Sequence, residues 1–267
     1  MKFPTPCKIS TITATGGVNS LINLHNFYEN VNIGTSKGIV YIECEKRYGT
    51  CDNLFRGKNL MLKSTKKKKE IKRFDNQVTC IVSLNEVNYV NVKVFRNGKI
   101  QMTGLKHIDQ GRSIIDYIIE NLKEIHSRGI DIVSADTLLN VDYKIQLINS
   151  DFKVGIEIRR DKLNRLIQIT YGVLSSFEPC IYPGVKIQFF WNKKRKDNHT
   201  GICDCEGFCD GRGNSDCKKI TIAVFQSGCI IITGAQTCEQ IDDAYTFICN
   251  VILKHKEEIE KPIRLAI

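Results

Sequence analysis

The chain repeats itself, and any fold it adopts must accommodate the repetition. VFRNGKIQMTGL at 94–105 and VFQSGCIIITGA at 224–235 align at an offset of 130, with identities at Val94/Val224, Phe95/Phe225, Gly98/Gly228, Ile100/Ile230, Thr103/Thr233 and Gly104/Gly234. A segment with helical periodicity follows each. Its apolar face carries Ile114, Ile115, Ile118, Ile119 and Leu122 in the first copy, and Ala244, Tyr245, Ile248, Val251 and Ile252 in the second. Each half also opens alike, with CKISTIT at 7–13 and YKIQLIN at 143–149, and a short helical stretch follows. The pattern predicts two copies of one unit: strand, short helix, several strands, long helix. Neither copy has enough apolar surface to stand by itself.

Strand alternation assigns faces. Val92, Val94, Ile100 and Met102 in the first copy, and Ile222, Val224, Ile230 and Ile232 in the second, are predicted to pack under the long helices. The opposite faces carry Lys93, Phe95, Gln101 and Thr103, and Ala223, Phe225, Ile231 and Thr233. A Phe at the same place on the helix-free face of both copies points to a use beyond packing. In VKIQFFW, the same alternation puts Val185, Ile187, Phe189 and Trp191 inward and sets Lys186 and Gln188 beside Tyr182 on the open face.

The net charge of +10 is concentrated rather than spread. KSTKKKKEIKR at 63–73, which includes Lys66, Lys67, Lys68 and Lys69, and KKRKD at 193–197, which includes Lys193, Lys194 and Arg195, hold most of the excess. Such runs are either solvated loops or phosphate-binding segments acting through counterion release. No apolar run reaches the roughly eighteen residues of a membrane span, and MKFPTPCKIS lacks the apolar stretch of a secretory signal. An intracellular location without membrane association is expected. With twelve Cys in such a compartment, thiols or metal ligands are expected over disulfides.

The order of motifs resembles the TATA-box-binding protein family. YKIQ, SSFEPCIYPGV at 175–185 and VFQSGCIIITGA are similar to that family's FKIQ, SSYEPELFPG and IFxSGKxxxTGA, and the resemblance spans about residues 7–256. Long insertions give the chain the look of the divergent relatives found in large DNA viruses. The resemblance implies an α+β saddle, in which two pseudo-symmetric repeats form a curved antiparallel sheet with helices on the convex face. It implies residues 1–125 as the first repeat, interrupted by an insertion at about 37–73, then a link at 126–141. The second repeat is 142–256, interrupted by a Cys-rich insertion at about 192–219, and 257–267 is a tail.

For function, the resemblance implies a transcription initiation factor that binds A·T-rich double-stranded DNA in the minor groove and bends it with apolar wedges. The wedge positions fall on Phe95 and Phe225, on Tyr182 followed by Pro183, and on Phe74 in IKRF. Thr103 and Thr233 match groove-facing Thr residues, and Ile231 stays apolar. Lys93 and Gln101 replace apolar groove contacts, and Lys99 lies beside them. The family's paired central Asn residues fall on Cys7 and Leu147, with Asn149 two residues on. Glu178, Cys180 and Ile181 lie where the family meets transcription factor IIB, so a IIB-like or polymerase-associated factor is the expected protein partner. The nucleus or a viral replication site in the host cytoplasm is the expected location.

No cofactor is expected, with one open question. Cys203, Cys205, Cys209 and Cys217, spaced C-x-C-x3-C-x7-C, could bind a structural zinc in a loop with almost no apolar residues to fold it. Free thiols and disulfides are the alternatives. No catalytic constellation is visible, so an enzyme is not expected. The competing reading is a protein-binding transcription adaptor on the same fold. A repair-glycosylase-like domain is the third, for which the chain leaves little room.

Overall fold

The computed structural model describes residues 4–44, 54–59, 76–85, 87–195, 199–212 and 215–262. Contacts divide the chain into a first unit, Thr11–Gln146, and a second unit made of Met1–Ser10 and Leu147–Ile267. The division falls inside two strands long enough for their ends to serve different units.

The elements of the first repeat are β1 (Lys8–Val18), α1 (Leu24–Asn30), β2 (Gly38–Cys44), β3 (Leu54–Gly57), β4 (Gln77–Ser83), β5 (Tyr89–Phe95), β6 (Lys99–Leu105) and α2 (Gln110–Ser127). Those of the second are β7 (Asn140–Lys153), α3 (Arg160–Ile169), β8 (Ser175–Ser176), β9 (Val185–Asn192), β10 (Cys217–Val224), β11 (Cys229–Ala235), α4 (Cys238–Lys254) and α5 (Lys256–Ile259). The strands run β3-β2-β4-β5-β6-β1 in the first unit and β7-β11-β10-β9-β8 in the second. With β3 set aside, the two orders are the same, and all pairings within each unit are antiparallel.

The repetition extends to details of the turns. Each repeated hairpin is closed by a β-turn, Gly98 N–H donating to Phe95 O and Gly228 N–H to Phe225 O, both at 3.0 Å. The glycines sit at φ +80 and +74, in the left-handed region that L side chains avoid. Each long helix carries a Gln in its first turn that reaches back over its entry: Gln110 Oε1 accepts from Lys106 N–H, and Gln240 Oε1 from Gln236 N–H, both at 2.7 Å. Thr237 completes the second start by accepting from Gln240 N–H. The Gln side chains thus pin the chain just before each helix, and Thr237 satisfies one of the unpaired N–H groups at the start of α4.

The core of each unit is a layer between sheet and helices. In the first, Val92, Val94, Ile100 and Met102 are buried with Ile114, Ile115, Ile118 and Leu122 of α2. In the second, Val185, Ile187, Phe189, Ile222, Val224, Ile230 and Ile232 are buried with Ile241, Ala244, Ile248 and Ile252 of α4. Trp191 shares this face and donates its indole N–H to Asp243 of α4 at 2.7 Å. One face of each sheet is therefore apolar and covered by helix, as the alternation predicts.

Two stretches depart from the sequence reading. The insertion placed at about 37–73 begins within the sheet, because β2 pairs with β4 from Gly38↔Ser83 to Cys44↔Val78 and β3 pairs with β2 at the edge. Ile39, Val40, Tyr41 and Ile42 are all buried. A run buried on both faces shows no period-two alternation and so does not announce itself as a strand. The segment between α2 and β7 packs as part of the first unit, with Ile132, Val133 and Leu138 buried and the Ser134 and Ala135 N–H groups donating to Ser20 Oγ.

Candidate nucleic-acid interface

The uncovered face of the second unit is built by cross-strand register. One row runs Lys186–Ala223–Ile231–Asp151 and the next Gln188–Thr221–Thr233–Asn149. Ile231 is 36% exposed, Lys186, Gln188 and Asp151 are exposed, and Ala223 is covered between its larger neighbours. Asn149 sits directly opposite Thr233, whose hydroxyl donates to Asn149 Oδ1, so the two polar groups satisfy each other. Ser10 ties the same strand by donating to the Asn149 carbonyl at 3.0 Å.

At the end of this face two aromatic side chains meet. Tyr182 precedes β9 and Phe225 follows β10, and because β9 and β10 are antiparallel from Val185↔Val224, these positions are neighbours. Their ring centroids are 5.8 Å apart and tilted by 57°. Gly184 makes the approach possible, since a Cβ there would lie 2.9 Å from Tyr182 Cε1 and 3.2 Å from Phe225 Cε1. The Lys186 ammonium lies 4.3 Å from the Tyr182 ring centroid, in cation–π contact.

Arg160, in the first turn of α3, holds this end together. Its guanidinium donates to the Pro183 carbonyl and, at 3.2 Å, to Gln226 Oε1, and stacks 4.9 Å from the Phe177 centroid. It thus connects the turn carrying Tyr182 to the turn carrying Phe225. The sequence reading missed it. The one local signal is a cation at a helix N-terminus, where the macrodipole disfavours positive charge, so that some other contact must hold it there. Pro183 itself is exposed, as are Glu178, Cys180 and Ile181 in the preceding turn, Ile181 at 77%. That turn is closed by the Ile181 and Tyr182 N–H groups donating to Glu178 O, each at 2.9 Å.

The first unit presents an analogous face. Its rows run Thr15–Gln101–Lys93–Thr79–Glu43–Phe55 and Thr13–Thr103–Asn91–Ile81–Tyr41. Phe95 ends β5 opposite Gln77, and Lys99 stands exposed opposite Gly17. Phe74 and Lys66 to Lys69 lie outside the described residues. Two further aromatics that the sequence reading passed over share this face. Phe55, 66% exposed, stacks at 6.3 Å on Tyr41, which is buried in a small cluster with Val40, Ile81 and Tyr89. Burial, together with the neighbouring Glu43 carboxylate, pushes the Tyr41 hydroxyl up to about 12. Neither residue lies in a strand legible from sequence. Arg56, on the opposite face of β3, donates to the carbonyls of Tyr28, Glu29 and Val31 at the end of α1.

The second basic cluster is paired. Lys193 and Lys194 bridge to Asp216 at 2.9 and 2.5 Å, and Arg195 to Asp204 at 2.8 Å. Hydrogen bonds from Lys194 and Lys193 hold the Asp216 carboxyl below its usual range; those from Asn192 and Arg195 do the same for Asp204. These cations lock the connection between β9 and β10, which lowers their availability for phosphate. The same connection brings Cys203, Cys205, Cys209 and Cys217 together, with all four sulfurs within 4.8 Å of one another.

Two units of the same strand order, each with an aromatic at the repeated hairpin on the uncovered face, define a duplicated α+β fold of the TATA-box-binding class. The family model described as transcription factor TFIID (or TATA-binding protein, TBP) matches residues 142–255. The TATA-box-binding protein-like protein of Acanthamoeba polyphaga mimivirus is 32% identical over 262 residues, covering 95% of this chain, and the chain spans 66% of that protein's length. The TATA-box-binding protein of Methanococcus maripaludis (strain C7) is 26% identical over 174 residues, covering 65% of this chain and 72% of its own. Among solved structures, Methanococcus jannaschii TBP superposes with a TM-score of 0.53 at 19% identity, covering 94% of this chain and 99% of its own, a likeness of fold. The chain belongs to the TATA-box-binding protein family, as a divergent member similar to the mimivirus protein. That is a family of transcription factors rather than enzymes. Among the described residues no helix is long and apolar enough to cross a membrane.

Proposed function

We propose that this chain is a DNA-binding transcription initiation factor that enters the minor groove of A·T-rich duplexes and bends them with aromatic wedges. The observation that carries the reading is the Tyr182–Phe225 pair at the end of an uncovered sheet face, with Phe95 at the matching hairpin of the other repeat. Rings placed at such ends can enter a base step and unstack it. On the same uncovered faces, Ile231 and Thr233 in the second unit and Thr103 in the first offer apolar and methyl contact to a groove floor that in A·T steps lacks the guanine amino group. Lys99 and the Lys66–Lys69 run add phosphate contacts. The exposed turn with Glu178, Cys180 and Ile181 is the contact for a IIB-like or polymerase-associated factor. Double substitution of Phe95→Ala and Phe225→Ala is expected to abolish bending of an A·T-rich duplex, read by fluorescence transfer between its ends, with the fold retained by circular dichroism. Unchanged bending in that variant defeats the reading.

A second reading, a protein-binding adaptor, rests on the charge of these faces. Asp151 is exposed beside Ile231, and Lys93 and Gln101 take apolar positions in the first unit. An exposed carboxylate opposes a polyanion and suits a protein surface. Gel-shift titration at low salt separates the two, because absence of duplex binding there supports the adaptor.

A further inference from the structure

We propose that Cys203, Cys205, Cys209 and Cys217 bind one zinc ion through four thiolates and that this ion folds the connection between β9 and β10. The four sulfurs come from a loop and the first residue of β10, yet all lie within 4.8 Å of one another. Tetrahedral Zn–S bonds of about 2.3 Å set sulfurs about 3.8 Å apart, a spacing these thiols reach with small shifts. All four are free thiols, with Cys205 and Cys217 3.4 Å apart. Cys217 is buried on the strand, so one ligand is fixed by the sheet and the loop supplies the rest.

The surroundings fit the chemistry. The Ser215 hydroxyl donates to Cys209 Sγ at 2.7 Å, the kind of outer hydrogen bond that orients a thiolate ligand. A four-thiolate zinc site carries a net double negative charge, and Lys194, paired with Asp216, is close enough to Cys205 for their charges to interact.

Besides the ion pairs to Asp204 and Asp216 and the stacking of His199 on Trp191, the loop has little apolar surface with which to fold. Its two large apolar side chains, Ile202 and Phe208, are 43% and 85% exposed, so burial does not hold it. It nevertheless grips both outer edges of the β9–β10 hairpin end, through Phe190↔Gly201 on one side and Arg212↔Lys218 on the other. A metal crosslink adds to these contacts an interaction strong enough to organise so polar a segment.

The test uses the full chain, expressed with zinc and purified under reductant. Plasma emission is expected to find one zinc per chain. Combined substitution of Cys203→Ser and Cys209→Ser is expected to lose it, while Cys180→Ser with Cys238→Ser, exposed cysteines outside the cluster, retains it. Should the first variant fail to fold, stripped wild-type chain titrated with cobalt(II) is expected to show thiolate-to-cobalt charge transfer and the intense visible bands of a tetrahedral site, both bleached by zinc. Absence of stoichiometric zinc together with absence of those bands overturns the proposal. So does iron in place of zinc, zinc kept by a variant with all four cysteines changed to serine, or disulfides mapped among the four in the reduced chain.

Discussion

Tyr182 and Phe225 belong to different turns, yet their ring centroids stand 5.8 Å apart at one end of an uncovered sheet face. The antiparallel pairing of β9 with β10 makes them neighbours, and Gly184 leaves the space between them. If the pair enters a base step, each ring contributes stacking of about 1–3 kcal/mol. Tyr182→Ala and Phe225→Ala are each expected to weaken binding of an A·T-rich duplex by roughly 5- to 150-fold. Tyr182→Phe is expected to keep most of the affinity, because the stacking area survives. Gel-shift titration of the three variants checks this.

Arg160 is expected to act on the same site without touching DNA. Replacing it with Met removes its hydrogen bonds to Pro183 O and Gln226 Oε1 and frees the two turns from each other. The predicted signature is a reduced bend angle in fluorescence transfer. The denaturation midpoint should fall only modestly, consistent with about 1–3 kcal/mol for charged hydrogen bonds on a partly exposed group. A fall in stability with no change in bending rejects the positioning role.

Gly98 and Gly228 make a matched prediction about stability. Both have positive φ, and an added Cβ would lie 2.2 Å from the Val18 and Ile156 carbonyl oxygens respectively. Gly98→Ala and Gly228→Ala are each expected to cost more than about 2 kcal/mol, since left-handed strain and a backbone clash act together. Urea denaturation of each variant reads the loss.

Tyr41 gives the fold an alkaline limit. Its hydroxyl is held at about 12, against an ordinary value of 10.0. Between these values the unfolded chain has released the proton and the folded chain retains it, so stability falls as pH rises. The contribution is complete below about pH 10 and gone above about pH 12. Tyr41→Phe is expected to flatten that part of the profile, measured as the urea midpoint from pH 9 upward. An unchanged slope contradicts the assignment.

Asp151 separates the two functional readings. Removing its exposed charge as Asp151→Asn is expected to raise duplex affinity at low salt by up to roughly fivefold, the scale of a surface charge interaction. The gain should shrink as salt is added. No gain at any salt favours the adaptor.

Much of this is legible in the sequence. The offset of 130 between the hairpins carries through to the turn glycines and to Gln110 and Gln240 at the helix starts. Period-two alternation separated Val224 and Ile230 from Phe225 and Ile231, because a strand with one covered face must alternate. Strand β2 escaped notice because Ile39 to Ile42 are buried on both faces, and such a run carries no period. The sequence leaves Lys193 to Arg195 open between a solvated loop and a phosphate-binding segment, since partners at Asp204 and Asp216 cannot be assigned from composition.

The sequence alone determined the duplication, the faces of the repeated strands and the family, since all three depend on local periodicity or on motif order. Only the tertiary structure decided which side chains converge: Tyr182 on Phe225, Arg160 between their turns, and four cysteines of irregular spacing into one cluster. Convergence depends on cross-strand register and on the path of a loop, and neither has a local signature in the chain.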